Sequence, residues 1–238
     1  GLPGYKLYVF LNAFRMDAAR RTALTRELRR EGRTALWIYA PGFVDDVPSV
    51  EAMRELTGIG FESGAQPWGP FAHITRADHP ITRDVPQDLF WGTNSALGPL
   101  FHVKDPGATV LGQVVYSLGR CQPGLAVKEF ADWRSVYCAA PNVPAPVLRG
   151  IARYAGVHVY GEAGDVLHAT PDLLAVHTAV GGPRTFTTRD LRGRLGLSSM
   201  QVYNVGAPPP DTLPCPGPAV LPIDPGGPVA LAGLTLDD

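Results

Sequence analysis

The chain has 238 residues, 21 Lys+Arg against 22 Asp+Glu, and a formal net charge of -1, so it lacks the basic field that nucleic acid or an anionic membrane would attract. Hydrophobic residues make up 45% and charged residues 18%, which excludes a disordered chain, while 27 glycines and 24 prolines exclude an all-helical bundle. Tyr5 to Leu11 is a short aromatic and aliphatic run that predicts a buried first strand. Asp17 stands before Ala18 to Glu31, a helical stretch with Leu24 and Leu28 on one face and Gly32 at its end. Thr34 to Tyr39 is nearly continuous in apolar residues, the pattern of a strand covered on both faces. Strand, helix and strand in this order predict a βαβ unit and a parallel sheet.

A short helix is expected from Ser49 to Leu56, closed by Gly58. Between Gly60 and Pro99 the pattern weakens into loops, with one strand near Phe71 to Arg76. Strands are expected at Leu100 to Val103, Thr109 to Tyr116 and Leu125 to Phe130, then a helix through Leu148 and Ile151 to Tyr154, ended by Gly156. Val157 to Tyr160, Asp165 to Ala169 and Leu173 to Thr178 read as a meander, because glycine-rich and proline-rich turns separate them. Arg184 to Thr188 and Met200 to Val205 are further strand-like runs, and the proline-laden tail after Gly206 suits edge strands only. The fold class expected is α/β: a flavodoxin-like, mostly parallel sheet with helices on both faces over residues 1–160, then a small antiparallel, proline-rich β portion over 161–238.

Cys121, Cys138 and Cys215 are too few and too widely spaced for a zinc module or a disulfide framework, and one bridge between two of them stays open. No apolar run approaches the roughly 18 residues of a membrane span. The start at Gly1-Leu2-Pro3-Gly4 has no initiator Met and suggests a piece of a longer protein. A soluble protein is expected, with its compartment, cytoplasmic or secreted, undetermined.

Sites in an open parallel sheet lie beyond the carboxyl ends of its strands. Gly58-Ile59-Gly60-Phe61-Glu62-Ser63-Gly64 has one residue too many for a dinucleotide fingerprint and follows a helix, so no cofactor is expected. The nearest approach to a nucleophile elbow is Gly119-Arg120-Cys121-Gln122-Pro123-Gly124, and His158 and Glu162 would complete a Cys, His, Glu triad. Its second glycine comes late and no helix begins there, so a loop thiol, a strand histidine and a turn acid are the better reading. His158, His168 and His177 fall on successive short runs without ligand spacing, and Asp45, Asp46, Asp78, Asp84 and Asp88 lack the tight alternation of a calcium loop. No metal is expected. Trp68, Phe71 and Trp91 stand in loops stiffened by proline and glycine, which makes them candidates for a sugar face or a protein interface as well as packing anchors. Seven arginines from Arg15 to Arg33 make the first helix basic, a solvated face or a surface for an acidic partner.

The strings Tyr5-Lys6-Leu7-Tyr8-Val9-Phe10-Leu11-Asn12 and Gly32-Arg33-Thr34-Ala35-Leu36-Trp37-Ile38-Tyr39-Ala40-Pro41-Gly42 together carry a resemblance. So do Ser49 to Met53 with Leu56 to Ile59, Trp133 to Tyr137, and Ile151 to Tyr160. They resemble the glutamine-amidotransferase-like domain that follows the catalytic barrel in large bacterial β-galactosidase-like glycoside hydrolases. The likeness runs from Gly4 to Asp190. It implies a trimerisation-type domain that keeps an amidotransferase-like fold without that chemistry, followed by a small β-sandwich. It implies no catalytic residue and no cofactor here, since the paired carboxylates of such enzymes belong to the barrel. The implied partners are that barrel, further copies of the chain, and a carbohydrate at a neighbouring site. An amidotransferase-like hydrolase using Cys121 and His158, and a carbohydrate-binding module, are the rival functions.

Overall fold

The structure, a computed structural model, describes residues 2–64, 67–116, 119–161, 164–169, 174–177, 184–187, 199–202, 219–222, 229–231 and 234–237. The chain divides into two units, Gly1–His158 and Val159–Asp238. The first contains β1 (Leu7–Phe10), α1 (Ala18–Leu28), β2 (Arg33–Ile38), α2 (Val50–Thr57), β3 (Phe61–Gly64), β4 (Phe71–Ile74), β5 (Phe90–Gly92), β6 (Leu100–Val103), β7 (Thr109–Tyr116), β8 (Arg120–Glu129), β9 (Trp133–Cys138) and α3 (Ala145–Tyr154).

Capping explains where the helices start and stop. The Asp17 carboxylate accepts the Arg20 N–H at 2.8 Å, and the Ser49 hydroxyl accepts that of Ala52 at 3.3 Å, each satisfying a free donor of a first turn. Gly58 closes α2 in the left-handed conformation, φ 73°. There a β-carbon would lie 2.5 Å from the Phe130 ring, so both backbone and packing require glycine.

One seven-stranded sheet runs in the order β1-β2-β9-β8-β7-β4-β5. The pairs β1/β2 and β2/β9 are parallel, whereas β9/β8, β8/β7, β7/β4 and β4/β5 are antiparallel. The α/β class therefore holds, and the expected mostly parallel sheet gives way to a mixed one. The reason is connectivity: helices follow β1, β2 and β9 and permit parallel returns, while only three residues separate β7 from β8, too few for any crossover. Phe61–Gly64 and Leu100–Val103 form a separate antiparallel pair, β3/β6.

Helices cover both faces. Ala35, Trp37, Tyr137 and Ala126 pack on the side of Leu28 from α1 and Met53 and Leu56 from α2. Leu36, Ile38, Val136 and Val127 pack on the side of Val147 and Ile151 from α3. All six residues of β2 are buried, the apolar Ala35–Ile38 as a strand covered on both faces requires, and Arg33 and Thr34 with them.

In the second unit, β10 (Val166–Ala169) pairs antiparallel with β11 (Leu174–His177). β12 (Arg184–Thr187) runs parallel to β16 (Leu234–Asp237), which pairs antiparallel with β15 (Val229–Leu231), and β13 (Ser199–Val202) pairs antiparallel with β14 (Ala219–Pro222). Residues 157–160, expected as a strand, are irregular. Among the described residues no helix is long and apolar enough to cross a membrane.

Candidate functional site

The carboxyl ends of β1, β2 and β9 are where an open parallel sheet presents its ligand crevice. The loops after β1 and β2 are zipped together: Gly42 N–H donates to Ala13 O at 2.7 Å, Val44 N–H to Phe14 O at 2.9 Å, and Met16 N–H to Val44 O at 3.0 Å. Beneath them the buried Arg21 guanidinium ties three elements. Its Nη1 donates to Met16 O at 2.7 Å and to Asp45 Oδ2 at 2.8 Å, and its Nε lies 3.4 Å from Glu55 on α2. The hydrogen bonds from Arg21 and from the Asp46 N–H hold the Asp45 carboxyl below the usual carboxylate range.

Aromatic rings fill the crevice. Tyr39, just past β2, has φ 65°, a left-handed backbone that costs a residue with a β-carbon of order 1 kcal/mol or more. Its placement explains why the strain is held. The Tyr39 carbonyl accepts the Tyr137 hydroxyl at 2.7 Å, its own hydroxyl donates to Pro99 O at 2.9 Å, and its ring packs edge-on against Phe14 and Phe101 at 5.7 and 5.6 Å. Phe43 closes the cluster 4.8 Å from Phe101. Burial raises the Tyr39 hydroxyl above its ordinary pKa, so it stays a neutral donor to Pro99.

A third strand-to-helix turn of this sheet, after those from β1 to α1 and from β2 to α2, follows β9. It was not legible as an elbow in the sequence, because Trp133–Cys138 lacks a period that would separate strand from helix. Cys138, the last residue of β9, is fully buried. Its thiol donates to Ala140 O at 3.2 Å, and burial pushes its pKa up to about 11, against the opposing effects of Trp91 and the Ala140 backbone. A thiol so placed is protonated and inert at neutral pH. The next two residues are Ala139 and Ala140, also buried, and Asn142, φ 58°, spends its side-chain amide on Gly92 O at 2.9 Å. The turn between β9 and α3 thus presents no accessible thiol or hydroxyl, only the buried Cys138 followed by alanines.

Cys121 lies elsewhere, on β8 opposite Val115 of β7. It is exposed, and its S–H reaches Gly119 O at 3.5 Å. An antiparallel hairpin strand replaces the strand-to-helix turn that a nucleophile there would need. His158 follows α3 and the left-handed Gly156, φ 73°, and Glu162 lies outside the described residues. His168 on β10 and His177 on β11 are exposed. Asp45 is held by Arg21, Asp78 by Arg76 at 2.9 Å, and Asp84 lies 3.5 Å from Arg153. Asp46 and Asp88 are exposed. Among the described residues no three of His, Cys, Asp and Glu gather as a metal site.

The aromatic candidates separate. Trp68 is 49% exposed and bridges Leu97, and Phe71 opens β4 half-buried. Trp91, expected in a loop, is instead 5% exposed in β5, opposite Ala72. Its indole N–H faces the Cys138 sulfur without forming a proper hydrogen bond. Side chains alternate along a strand, so burying Trp91 exposes its neighbour Phe90, at 58%, whose ring stacks on His73 at 5.0 Å. Reading Phe90-Trp91-Gly92 as a strand would have found this from the sequence.

A groove of about 660 Å³ runs between α1 and α2, lined in part by Arg21, Arg29, Arg54, Lys128, Glu51 and Glu55. Its cations are engaged: Arg21 as above, Arg29 with Glu55 O and over the Trp133 ring, Arg54 with Glu51, and Lys128 with Asp105 at 2.7 Å. The groove is a solvated seam between helices.

No protein-family model matches the chain, and no curated protein matches it significantly. Solved structures show distant likenesses. A putative ThuA-like protein from Bacteroides uniformis aligns with TM-score 0.45 and 13% identity, covering 63% of this chain and 69% of that one. A GH42 β-galactosidase from G. stearothermophilus aligns with TM-score 0.48 and 14% identity over 68% of this chain and 24% of that one. The cold-adapted β-galactosidase from Rahnella sp. R3 aligns with TM-score 0.47 and 13% identity over 71% and 26%. The chain spans about a quarter of the length of these β-galactosidase chains.

Proposed function

We propose that the chain is a non-catalytic assembly or accessory domain of a β-galactosidase-like glycoside hydrolase, with an amidotransferase-like, flavodoxin-like core in its parallel half. The observation that carries the reading is the turn after β9. In an amidotransferase-like core that turn would present the nucleophile, and here it holds Ala139 and Ala140 behind a buried, protonated Cys138. The crevice beside it is packed with Phe14, Tyr39, Phe43 and Phe101. The parent activity rests on the sequence resemblance, whose quoted segments fall on β1, β2, α2, β9 and α3. Its partners in this reading are the upstream catalytic barrel and further copies of the chain.

The test is turnover. The purified chain is expected to be inert toward glutamine and toward aryl β-galactosides, and a rate abolished by Cys121→Ala or Cys138→Ala would overturn the reading. A second reading, a carbohydrate-binding module, is favoured by the exposed rings of Trp68 and Phe90, because flat exposed aromatics stack on sugar faces. Titration with galactosides against Trp68→Ala and Phe90→Ala variants separates the two: binding lost in those variants supports the module.

A further inference from the structure

The groove between α1 and α2 holds a donor left unsatisfied among the described residues. Arg21 lines the groove with only 10% of its side chain exposed. Its Nη1 serves both Met16 O and Asp45, while Nε, also buried, has no hydrogen-bond acceptor. Folded proteins pair nearly all their buried donors, so an exception calls for a physical reason. The Glu55 carboxylate lies 3.4 Å from Nε but out of line for a hydrogen bond. Its side chain is 58% exposed, so it can turn away into solvent.

Arg29, directly after α1, stands beside the same groove. Its guanidinium has neutral partners, the Glu55 backbone O and the Trp133 ring, and takes part in no ion pair among the described residues. Partial burial lowers its pKa below the ordinary arginine value, because hydration is lost without a counter-charge to replace it. Arg54 of α2 meets Glu51 at 3.5 Å with both side chains exposed. A guanidinium carries five N–H donors, so these engaged arginines keep donors to spare. We infer that the groove is an oxyanion site, in which the phosphate of a small phosphate-bearing molecule displaces the Glu55 carboxylate from Arg21 Nε and is held by Arg21, Arg29 and Arg54.

The chemistry of the lining selects the ligand. A carboxylate offers two oxygens in one plane, whereas a phosphate offers several charged oxygens in a tetrahedron and can meet guanidinium groups from two helices at once. The groove volume of about 660 Å³ falls within the range of small-molecule sites, about 300–1,000 Å³, and leaves room beyond the phosphate. Thr22 and Thr25 spend their hydroxyl protons on Ala18 O and Arg21 O, both at 2.9 Å, and stay open as acceptors for a ligand hydroxyl. Glu55 is then a competitor of the ligand, which makes it the sharpest probe. This site would belong to the domain in addition to the role proposed above and does not depend on it.

Titration of the full chain with inorganic phosphate at constant ionic strength, followed by NMR of the backbone amides, is the test, with thermal melts confirming that each variant folds. Saturating shifts are expected at Thr22, Thr25 and Gly58. Arg29→Gln should weaken binding about tenfold, the worth of one charge-assisted hydrogen bond. Glu55→Gln removes the competing carboxylate and should tighten binding, which general screening by salt would not do. Acetate should bind about tenfold more weakly than phosphate. Glycerol phosphate that binds more tightly than inorganic phosphate identifies an ester as the ligand, and equal binding identifies free phosphate. A wild type whose shifts do not saturate overturns the inference, as do shifts centred away from α1 and α2, binding that Arg29→Gln leaves unchanged, binding that Glu55→Gln fails to tighten, or acetate binding as tightly as phosphate.

Discussion

The Trp37 indole N–H donates to the Ser135 hydroxyl at 3.1 Å, and both residues are fully buried. They stand 98 positions apart and join β2 to β9 at the centre of the parallel half. Trp37 also stacks on Phe10 of β1 at 4.3 Å, so one side chain ties three neighbouring strands.

Removing that side chain should be costly. Trp37→Ala is expected to lose about 3–5 kcal/mol, as large aromatic truncations in cores do. Trp37→Phe keeps most of the volume but leaves Ser135 without its donor, at about 1–3 kcal/mol. Urea unfolding monitored by far-UV circular dichroism reads both, and losses below about 1 kcal/mol for Trp37→Ala would contradict its place in the core.

Trp91 and Trp68 should behave differently although both sit near proline and glycine. Trp91→Ala empties a core site and is expected to cost about 3–5 kcal/mol. Trp68→Ala changes an exposed ring and should stay within about 0.5 kcal/mol. Equal losses from the two would show that β5 does not pair with β4 as found.

The thiols should separate by reactivity. Cys121 is exposed and Cys138 is buried with its pKa pushed up to about 11, so iodoacetamide at pH 8 should alkylate Cys121 while Cys138 stays protected until the protein unfolds. Peptide mapping by mass spectrometry after timed labelling gives the order. Cys138 labelled first would remove the argument that the turn after β9 is inert.

His79 supplies a pH dependence. Burial, with Arg76 adding to it, lowers its pKa below the ordinary imidazole value, against the opposing pull of Glu129 and Asp78. Its Nδ1 accepts the Ile81 N–H at 3.1 Å, which only an unprotonated Nδ1 can do. The unfolded chain therefore binds this proton more readily than the folded one, and its contribution is present above the unfolded pKa of about 6.5 and lost as pH falls below it. Thermal stability should drop between pH 7 and pH 5, with a shallower drop in His79→Asn. Identical slopes in the two proteins would rule His79 out as the cause.

Gly150 in α3 faces the loop before β5. A β-carbon there would lie 1.9 Å from Ile81 O, so Gly150→Ala should destabilise by about 1–3 kcal/mol, even though alanine is the better helix former by about 1 kcal/mol. A stabilised variant, read by urea titration, would mean that the loop yields freely.

Local chemistry determined what a stretch of neighbours can settle. The caps at Asp17 and Ser49, the left-handed Gly58 and the unbroken apolar run of β2 mark α1, α2 and the first βαβ unit, because each acts within one turn or one strand. Strand β8 begins at Arg120 rather than Leu125, and carries Pro123 beside an irregular register with Gly112 and Gln113, a place where a missing N–H is tolerated. Only the tertiary structure decided that β9 lies parallel to β2 and antiparallel to β8. That pairing places Cys138, Ala139 and Ala140 at the strand-to-helix turn instead of Cys121, and it joins residues about a hundred positions apart that no local pattern connects. The fate of Trp91 was likewise decided by partnership: pairing with β4 turned it inward and Phe90 outward, since one step along a strand exchanges buried for exposed.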